Sequence, residues 1–312
     1  MAEPALRKPF WRGLLDRCLG TPVSLHTAVT SLRGRREENQ DNYLLLSDKQ
    51  ARLMRDGEPV TMAVPNWPRQ RLRVAVFDGM GGHRDGRQVA EASAAAAACI
   101  PPQTNAADTR AAVLQLHRQL ADRFVRHHHR QGNPGTTMVW VELDQRSGKG
   151  WLASVGDSRV YRCRGGEWQQ LTFDHTLAEF NWRDGDLDDG EYSRLSAGGD
   201  QRLAQALAYG SWGIRYDDRG LKPFLHHPDL RLDLANELSA QRLEHADVKS
   251  LQLKDGEVLL LASDGLWDNA VGSGEWGQPG EKTDLAALST EMANSALGRG
   301  GRDNVTVLLL GS

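Results

Sequence analysis

Hydrophobic and polar positions along the chain alternate in two distinct periods. Apolar runs at Ser24 to Leu32, Tyr43 to Leu46 and Leu72 to Phe77 predict strands, the first two joined hairpin-fashion through polar Gly34 to Asp41. The Pro-bearing segment Ser47 to Gln70 between them reads as a surface hairpin or loop, or more sharply as an insertion that docks a partner. Alanine dominates Arg87 to Cys99, and Val113, Leu116, Leu120 and Phe124 recur every three or four residues within Asp108 to His129, predicting two helices. Strands then follow closely at Thr137 to Leu143, Trp151 to Val155, Val160 to Cys163 and Trp168 to Leu171. Such short connections favour antiparallel pairing. The stretch Asp174 to His227 is less regular, with an acid-rich loop at Asp184 to Glu191 and a predicted helix over Gln201 to Tyr209. Strands at Val248 to Leu253, Val258 to Ala262 and Val305 to Leu310 enclose a helix at Leu285 to Leu297. Grouped strands with helices between the groups imply one α+β domain of two packed, mainly antiparallel sheets flanked by helices.

Composition narrows the function. The 312 residues are 39% hydrophobic and 25% charged, enough apolar material for a sizeable core. A net charge of -3 gives no global basic field, so nucleic acid and anionic membranes are poor partners. Cys18, Cys99 and Cys163 lie far apart in no metal or redox spacing, which favours a reducing compartment. No window suits a membrane span or a signal-peptide core, so the expected location is cytoplasmic. Residues 1–22 form an N-terminal arm in which Phe10, Trp11, Leu14, Leu15 and Cys18 alternate with basic residues. That arm reads as packed on its own domain, residues 23–312, or as an amphipathic helix docking elsewhere.

Chemistry is concentrated where aspartates meet strand ends. Asp41 precedes one apolar run and Asp303 another, while Asp78, Asp157 and Asp264 follow theirs. Antiparallel packing can bring these tips to one edge of the core, where clustered carboxylates resist joint ionisation. A divalent cation offsets that repulsion. Oxygen donors without histidine or cysteine suit Mg²⁺ or Mn²⁺ and disfavour zinc.

An ordered series of motifs strengthens this reading: Arg36-Glu37-Glu38-Asn39-Gln40-Asp41, Val76-Phe77-Asp78-Gly79-Met80-Gly81-Gly82, Gly135-Thr136-Thr137, Ala153 to Tyr161, Leu171 to Thr176, Leu261 to Leu266 and Gly301 to Val307. The series resembles the metal-dependent PPM phosphatases, the type 2C serine/threonine protein phosphatases, in their bacterial form. The resemblance implies a four-layer αββα β-sandwich carrying two Mn²⁺ or Mg²⁺ ions and a weaker third. Asp78 would bridge two ions, with the Gly79 carbonyl on one and Asp264 and Asp303 on the other. Asp157 with Asp264 would hold the third, and Asp41 would act nearby, directly or through water. Arg36 would bind the substrate phosphate through its planar fork. The implied reaction is hydrolysis of phosphoserine and phosphothreonine in proteins by in-line attack of a bridging metal-bound hydroxide. Implied partners are phosphoproteins and a cognate Ser/Thr kinase system, with the enzyme a monomer.

Two departures bear on that implication. Gln40 stands where Glu is frequent, and Met80 where eukaryotic members carry histidine, leaving a metal-bound water or, less favoured, His83 to protonate the leaving group. The region about 178–200 corresponds to a variable flap, with Trp182 as its anchor. His127 to His129 point in different directions on a helix and read as a solvated end. Neither a Cys-x5-Arg nor a P-loop motif occurs. The rival readings are a pseudophosphatase that binds phosphoproteins without turnover and a regulatory module acting through its arm. The presence of Asp78, Asp264 and Asp303 argues for the enzyme.

Overall fold

Strands that are apolar at successive positions must bury both faces, and this chain does so by stacking two sheets and covering each with helices. The computed structural model describes residues 25–81, 84–124, 134–197, 202–209, 211–217, 220–226, 229–267, 276–280 and 283–311. The arm at 1–22, His83 and His127 to His129 lie outside them.

In chain order the elements are β1 His26–Leu32, β2 Asn42–Ser47, β3 Gln50–Arg55, β4 Glu58–Ala63, β5 Arg71–Phe77, β6 Gly79–Met80, α1 Arg84–Cys99, α2 Ala106–Phe124, β7 Gly135–Thr136, β8 Met138–Asp144, β9 Lys149–Val155, β10 Arg159–Arg164 and β11 Glu167–Gln170. There follow α3 Leu177–Asp184, α4 Asp189–Ala197, β12 Ser211–Asp217, β13 Gly220–His226, β14 Val248–Gln252, β15 Val258–Ala262, α5 Leu285–Gly298 and β16 Val305–Gly311. One sheet has the order β1-β16-β15-β10-β11 and the other β14-β9-β8-β5-β2-β3-β4, and their ladders are antiparallel.

The two-residue period of a strand sorts side chains into layers. Tyr43, Leu45, Val74, Val76, Val139 and Val141 face inward and meet Val160, Leu259, Leu261, Leu308 and Leu310 of the other sheet. Their neighbours Leu44, Leu46, Ala75, Phe77 and Trp140 face outward, onto Val89, Ala90, Ala94 and Ala97 of α1 and Val113, Leu116 and Leu120 of α2. On the far side Leu260, Val305, Val307 and Leu309 pack under Leu288, Met292, Ala293 and Ala296 of α5. The result is the four-layer αββα sandwich.

Three expectations are corrected. β1 and β2 are not a hairpin: β1 pairs with β16 and β2 with β5, so residues 33–41 cross from one sheet to the other. That crossing takes the chain over the end of the sandwich where the acids lie. Gln201 to Tyr209 is not a helix in its described part. Leu203 and Leu207 instead form single bridges with Thr176 and Thr136, and Gln205 bonds both the backbone of Arg231 and the His175 ring. The acidic stretch at 184–191 is not wholly loop either, since it joins α3 to α4. The Ser47 to Gln70 segment forms the β3-β4 hairpin at the edge of the larger sheet.

One buried ion pair secures the outer layer. Arg73 is fully buried between the rings of Trp67 and Trp140 and donates to both Glu142 and the carbonyls of Ala97, Ile100 and Pro101. It ties β5 to the C-terminal end of α1, where free carbonyls need donors. Replacing Arg73 with Ala should destabilise the fold by about 3–5 kcal/mol, because Glu142 and those carbonyls lose a buried partner. Urea unfolding measures this, and a loss below about 1 kcal/mol would contradict it.

Candidate active site

The end of the sandwich crossed by residues 33–41 opens into a cleft of about 1110 Å³. Its lining includes Arg36, Gln40, Asp78, Gly79, Met80, Asp85, Asp157, Asp264, Asp303 and Asn304. Thus four of the five strand-tip acids converge on one cleft. Asp41, the fifth, is 3% exposed just beneath, where its Oδ2 accepts from Ser263 Oγ and Thr306 Oγ1, each at 2.7 Å.

Local bonding explains how each acid is presented. At the end of β5 the Asp78 carbonyl accepts from Thr137 N–H at 2.9 Å and Thr136 Oγ1 at 2.8 Å, while its N–H donates to Thr137 Oγ1. Gly79 then passes so close to α1 that a Cβ would stand 2.4 Å from the Gly86 carbonyl oxygen and 2.6 Å from that of Gln40. No side chain fits there, which accounts for the Asp-Gly pair. Asp157 follows Gly156, whose φ is +94° and whose Cβ would meet Thr137 Cγ2 at 2.7 Å. The Gly156 N–H donates to His175 Nδ1, which also receives Gln205 Nε2, so the ring's Nε2 is the protonated nitrogen and donates to Asp247 Oδ1 at 2.9 Å. Asp264 sits on a short 3₁₀ turn, Asp264–Leu266, directly after β15.

The electrostatics are those of like charges forced together. Burial first, then the neighbouring acids Asp264, Asp41 and Asp157, drives the Asp78 carboxyl well above the ordinary carboxylate range. Burial likewise pushes Asp41 up to about 7, against the hydrogen bonds from Ser263 and Thr306. Asp157 rises to about 8, through burial and then the charges of Asp264 and Asp174. The Asp264 carboxylate thus adds both its charge and its nearness to what keeps the Asp78 carboxyl protonated.

Arg36 and Asp303 are both present but engaged with each other. Arg36 Nε and Nη2 reach Asp303 Oδ1 and Oδ2 at 2.8 and 2.5 Å, a bidentate fork at the rim of the cleft. That bond, with the further charges of Asp264 and Asp78, raises the guanidinium pKa despite its partial burial. Accordingly, no three acids, histidines or cysteines among the described residues already surround a single point.

The donor set nevertheless fits hard cations. It contains only carboxylates and backbone carbonyls, and Asp41 Oδ1 is buried with no hydrogen-bond partner. Asp78, Asp157, Asp264 and Asp303 could hold ions here.

Residues without a predicted role also shape the cleft. Asn304 accepts from Gln40 N–H and donates to the carbonyls of Arg33 and Glu38, binding the 33–40 crossing to the end of β16. Arg159 pairs with Asp174 and stacks 3.4 Å over Trp267, next to the Asp157 turn. Ser263, Asn304 and Thr306 stood inside the quoted motifs, but a residue's position in a motif does not say what it bonds. Trp182 does serve as an anchor: it is buried, donates to Asp189 at 2.7 Å and stacks on Tyr192, fastening α4 to α3.

Comparison with known proteins agrees with this architecture. A family profile for Protein phosphatase 2C matches residues 30–181. The serine/threonine phosphatase stp of Listeria monocytogenes is 25% identical over 296 residues, covering 92% of this chain and 95% of its own. The protein phosphatase PhpP of Streptococcus pneumoniae is 25% identical, covering 77% of this chain and 85% of its own. Among solved structures, the S. agalactiae serine/threonine phosphatase superposes with a TM-score of 0.62 at 20% identity, covering 92% of this chain and 99% of that one. The catalytic domain of the phosphatase PstP, solved with 2 manganese ions, gives 0.56 at 22% identity, covering 92% and 97%. At these identities the structural likenesses establish the fold. With the profile matched over residues 30–181, the ordered motifs and the acid-lined cleft, they make the chain similar to the bacterial serine/threonine phosphatases of the protein phosphatase 2C (PPM) family.

Proposed function

We propose that the cleft hydrolyses phosphoserine and phosphothreonine in proteins with two Mn²⁺ or Mg²⁺ ions. The observation that carries this is the convergence of Asp78, Asp157, Asp264, Asp303 and Arg36 on one cleft in a chain similar to the PPM phosphatases. Asp78 would bridge the two ions, Gly79 would offer its carbonyl to one, and Asp264 and Asp303 would bind the other. Asp157 with Asp264 suits a weaker third. Bound there, the cations would generate hydroxide from water near neutral pH for in-line attack on phosphorus and offset the charge of the phosphoryl group.

The chain's own residues supply position and charge. Arg36 carries the planar donor fork that phosphate accepts, and its present partner Asp303 is itself an expected ligand. Ligation of Asp303 would therefore release the guanidinium toward substrate. Asp41, fixed by Ser263 and Thr306, places its carboxyl beneath Asp78 and Asp264. Met80 lines the cleft and has no proton to give, so the leaving alkoxide takes its proton from water. A phosphoprotein pool filled by a Ser/Thr kinase is the implied setting, with the protein acting as a cytoplasmic monomer of one catalytic domain, residues 23–312. No described helix is long and apolar enough to cross a membrane.

Hydrolysis of a phosphothreonine peptide should require Mn²⁺, cease with EDTA and fall by at least about 10²-fold in Asp78→Ala and Asp264→Ala. Equal turnover in all conditions would remove the metal mechanism, and turnover in none would favour the pseudophosphatase. Arg36→Ala should chiefly raise KM, by about ten-fold for a lost bidentate pair. Unchanged kinetics would remove Arg36 from the site.

The raised carboxyl pKa values make a second, non-catalytic prediction. In metal-free protein Asp41 and Asp157 hold protons up to about 7 and about 8, whereas an unfolded aspartate releases its proton near about 3.9. The folded state binds more protons across that window, so stability is present at low pH and lost as pH rises through it. Melting in EDTA should therefore occur at a lower temperature at pH 8.5 than at pH 5.5, and Mn²⁺ should raise it more at pH 8.5. A Mn²⁺-induced shift that is equal at both pH values, or larger at pH 5.5, would contradict this.

A further inference from the structure

Residues 33–36 and 301–303 form the divide between the catalytic cleft and a second cleft of about 400 Å³. On one side Arg36 and Asp303 line the catalytic cleft. On the other, Arg33, Gly34, Arg35 and Gly301 face Leu32, Asn294 and Leu297. The divide is rigid. Arg35 N–H donates to the Arg302 carbonyl at 3.2 Å, and Asn304 Nδ2 donates to the Arg33 carbonyl at 2.7 Å. Gly34 lies against the Asp303 carbonyl, where a Cβ would come within 2.1 Å, at a left-handed φ of +62°. This clamped glycine fixes where the arginines on either side of it emerge.

Their charge is largely uncompensated. Arg33, Arg35, Arg36 and Arg302 are exposed, and among the described residues the side chains of Arg35 and Arg302 make no ion pair or hydrogen bond. Among the described residues, Arg33 donates to the neutral carbonyl of Glu37 and to no carboxylate. Of the nearby acids, Asp303 is paired with Arg36 and Glu38 with Arg87, and Glu37 is exposed beside the group. In a chain of net charge -3, a rigid basic rim beside the acid-lined cleft runs against the overall balance. Preorganised charge at a rim selects partners by complementarity.

We propose that this rim and the second cleft form a substrate subsite, and that the enzyme prefers phosphoproteins with acidic residues flanking the phosphorylated position. The inference rests on the phosphatase reading above and specifies its substrate class. A phosphoryl group held at Arg36 places the adjoining peptide along Arg35 and Arg302, where aspartate or glutamate finds partners and lysine or arginine is repelled. Leu32 and Leu297 give the peptide an apolar floor.

The test uses the full-length protein with Mn²⁺ and three phosphothreonine peptides of equal length whose flanks are acidic, neutral or basic, with p-nitrophenyl phosphate alongside. At low salt KM should be about five-fold lower for the acidic than for the neutral peptide and higher again for the basic one, with similar kcat, as expected for two exposed ion pairs. The gap should close at about 0.5 M salt, where such pairs are screened. In Arg35→Gln/Arg302→Gln the acidic-to-neutral ratio should approach one. Should p-nitrophenyl phosphate and all three peptides turn over in wild type with KM indifferent to flank charge, the subsite is overturned while the phosphatase reading stands. Inertness toward every substrate overturns both. A preference that survives the double substitution assigns recognition elsewhere and overturns the role of this rim.

Discussion

The constraint on which the structure depends is the gathering of carboxylates at one end of a β-sandwich. The charge of Asp264 raises the proton affinity of both Asp78 and Asp157, and Asp41 lies buried beneath them. Without cations such a cluster persists only by keeping protons or by recruiting guanidinium. Both tendencies are visible here: burial and neighbouring acids raise the Asp78 carboxyl well above its ordinary range, and Arg36 closes on Asp303. The surrounding fold is the counterweight. Thr136 and Thr137 clamp the backbone of Asp78, Ser263 and Thr306 grip Asp41, and His175 holds the Gly156 turn.

These clamps connect core to chemistry. The side chains just inside each acid belong to the packed layers: Phe77 precedes Asp78, Val155 lies two before Asp157, and Ala262 lies two before Asp264. A sheet packed on both faces allows little movement of its strand ends, so the acids cannot separate to relieve repulsion. The site thus carries unfavourable electrostatics that the sandwich holds in place, a cost that divalent ions would relieve. Behind it, the buried group of His175, Asp247, Arg183, Glu179 and His245 joins α3 to β14 and to the Asp157 turn through side-chain bonds. The α3-α4 region is therefore fastened to the domain along its inner edge.

Much of this was legible in the sequence, for definite reasons. Strand positions follow apolar runs, and an aspartate at the end of such a run marks a strand tip, so all five acids could be named before any pairing was known. The pairing itself was not legible. Alternation reports which faces are buried but not which strand lies alongside, and β1 joins β16, the last strand, rather than β2. Residues 201–209 have helical periodicity, yet tertiary bridges to Thr136 and Thr176 override it. The helix at Leu177–Asp184 did leave a signal, since Thr176 accepts from Glu179 N–H as an N-cap, but the acidic residues that follow masked it. Arg36 could be singled out as a cleft residue with the donor fork a phosphate accepts. Its bond to Asp303 could not, because the two are 267 positions apart and meet only once the sheets pack.

The central claim is that cations replace protons in this cluster, and it is tested most directly by calorimetric titration of the metal-free protein with Mn²⁺ at pH 7 in buffers of differing ionisation enthalpy. Binding should release on the order of one proton or more per chain, since ligands must deprotonate as metal enters, and Asp78→Asn should reduce both affinity and release. Binding heat independent of the buffer, or no Mn²⁺ binding by the intact protein, would contradict the account.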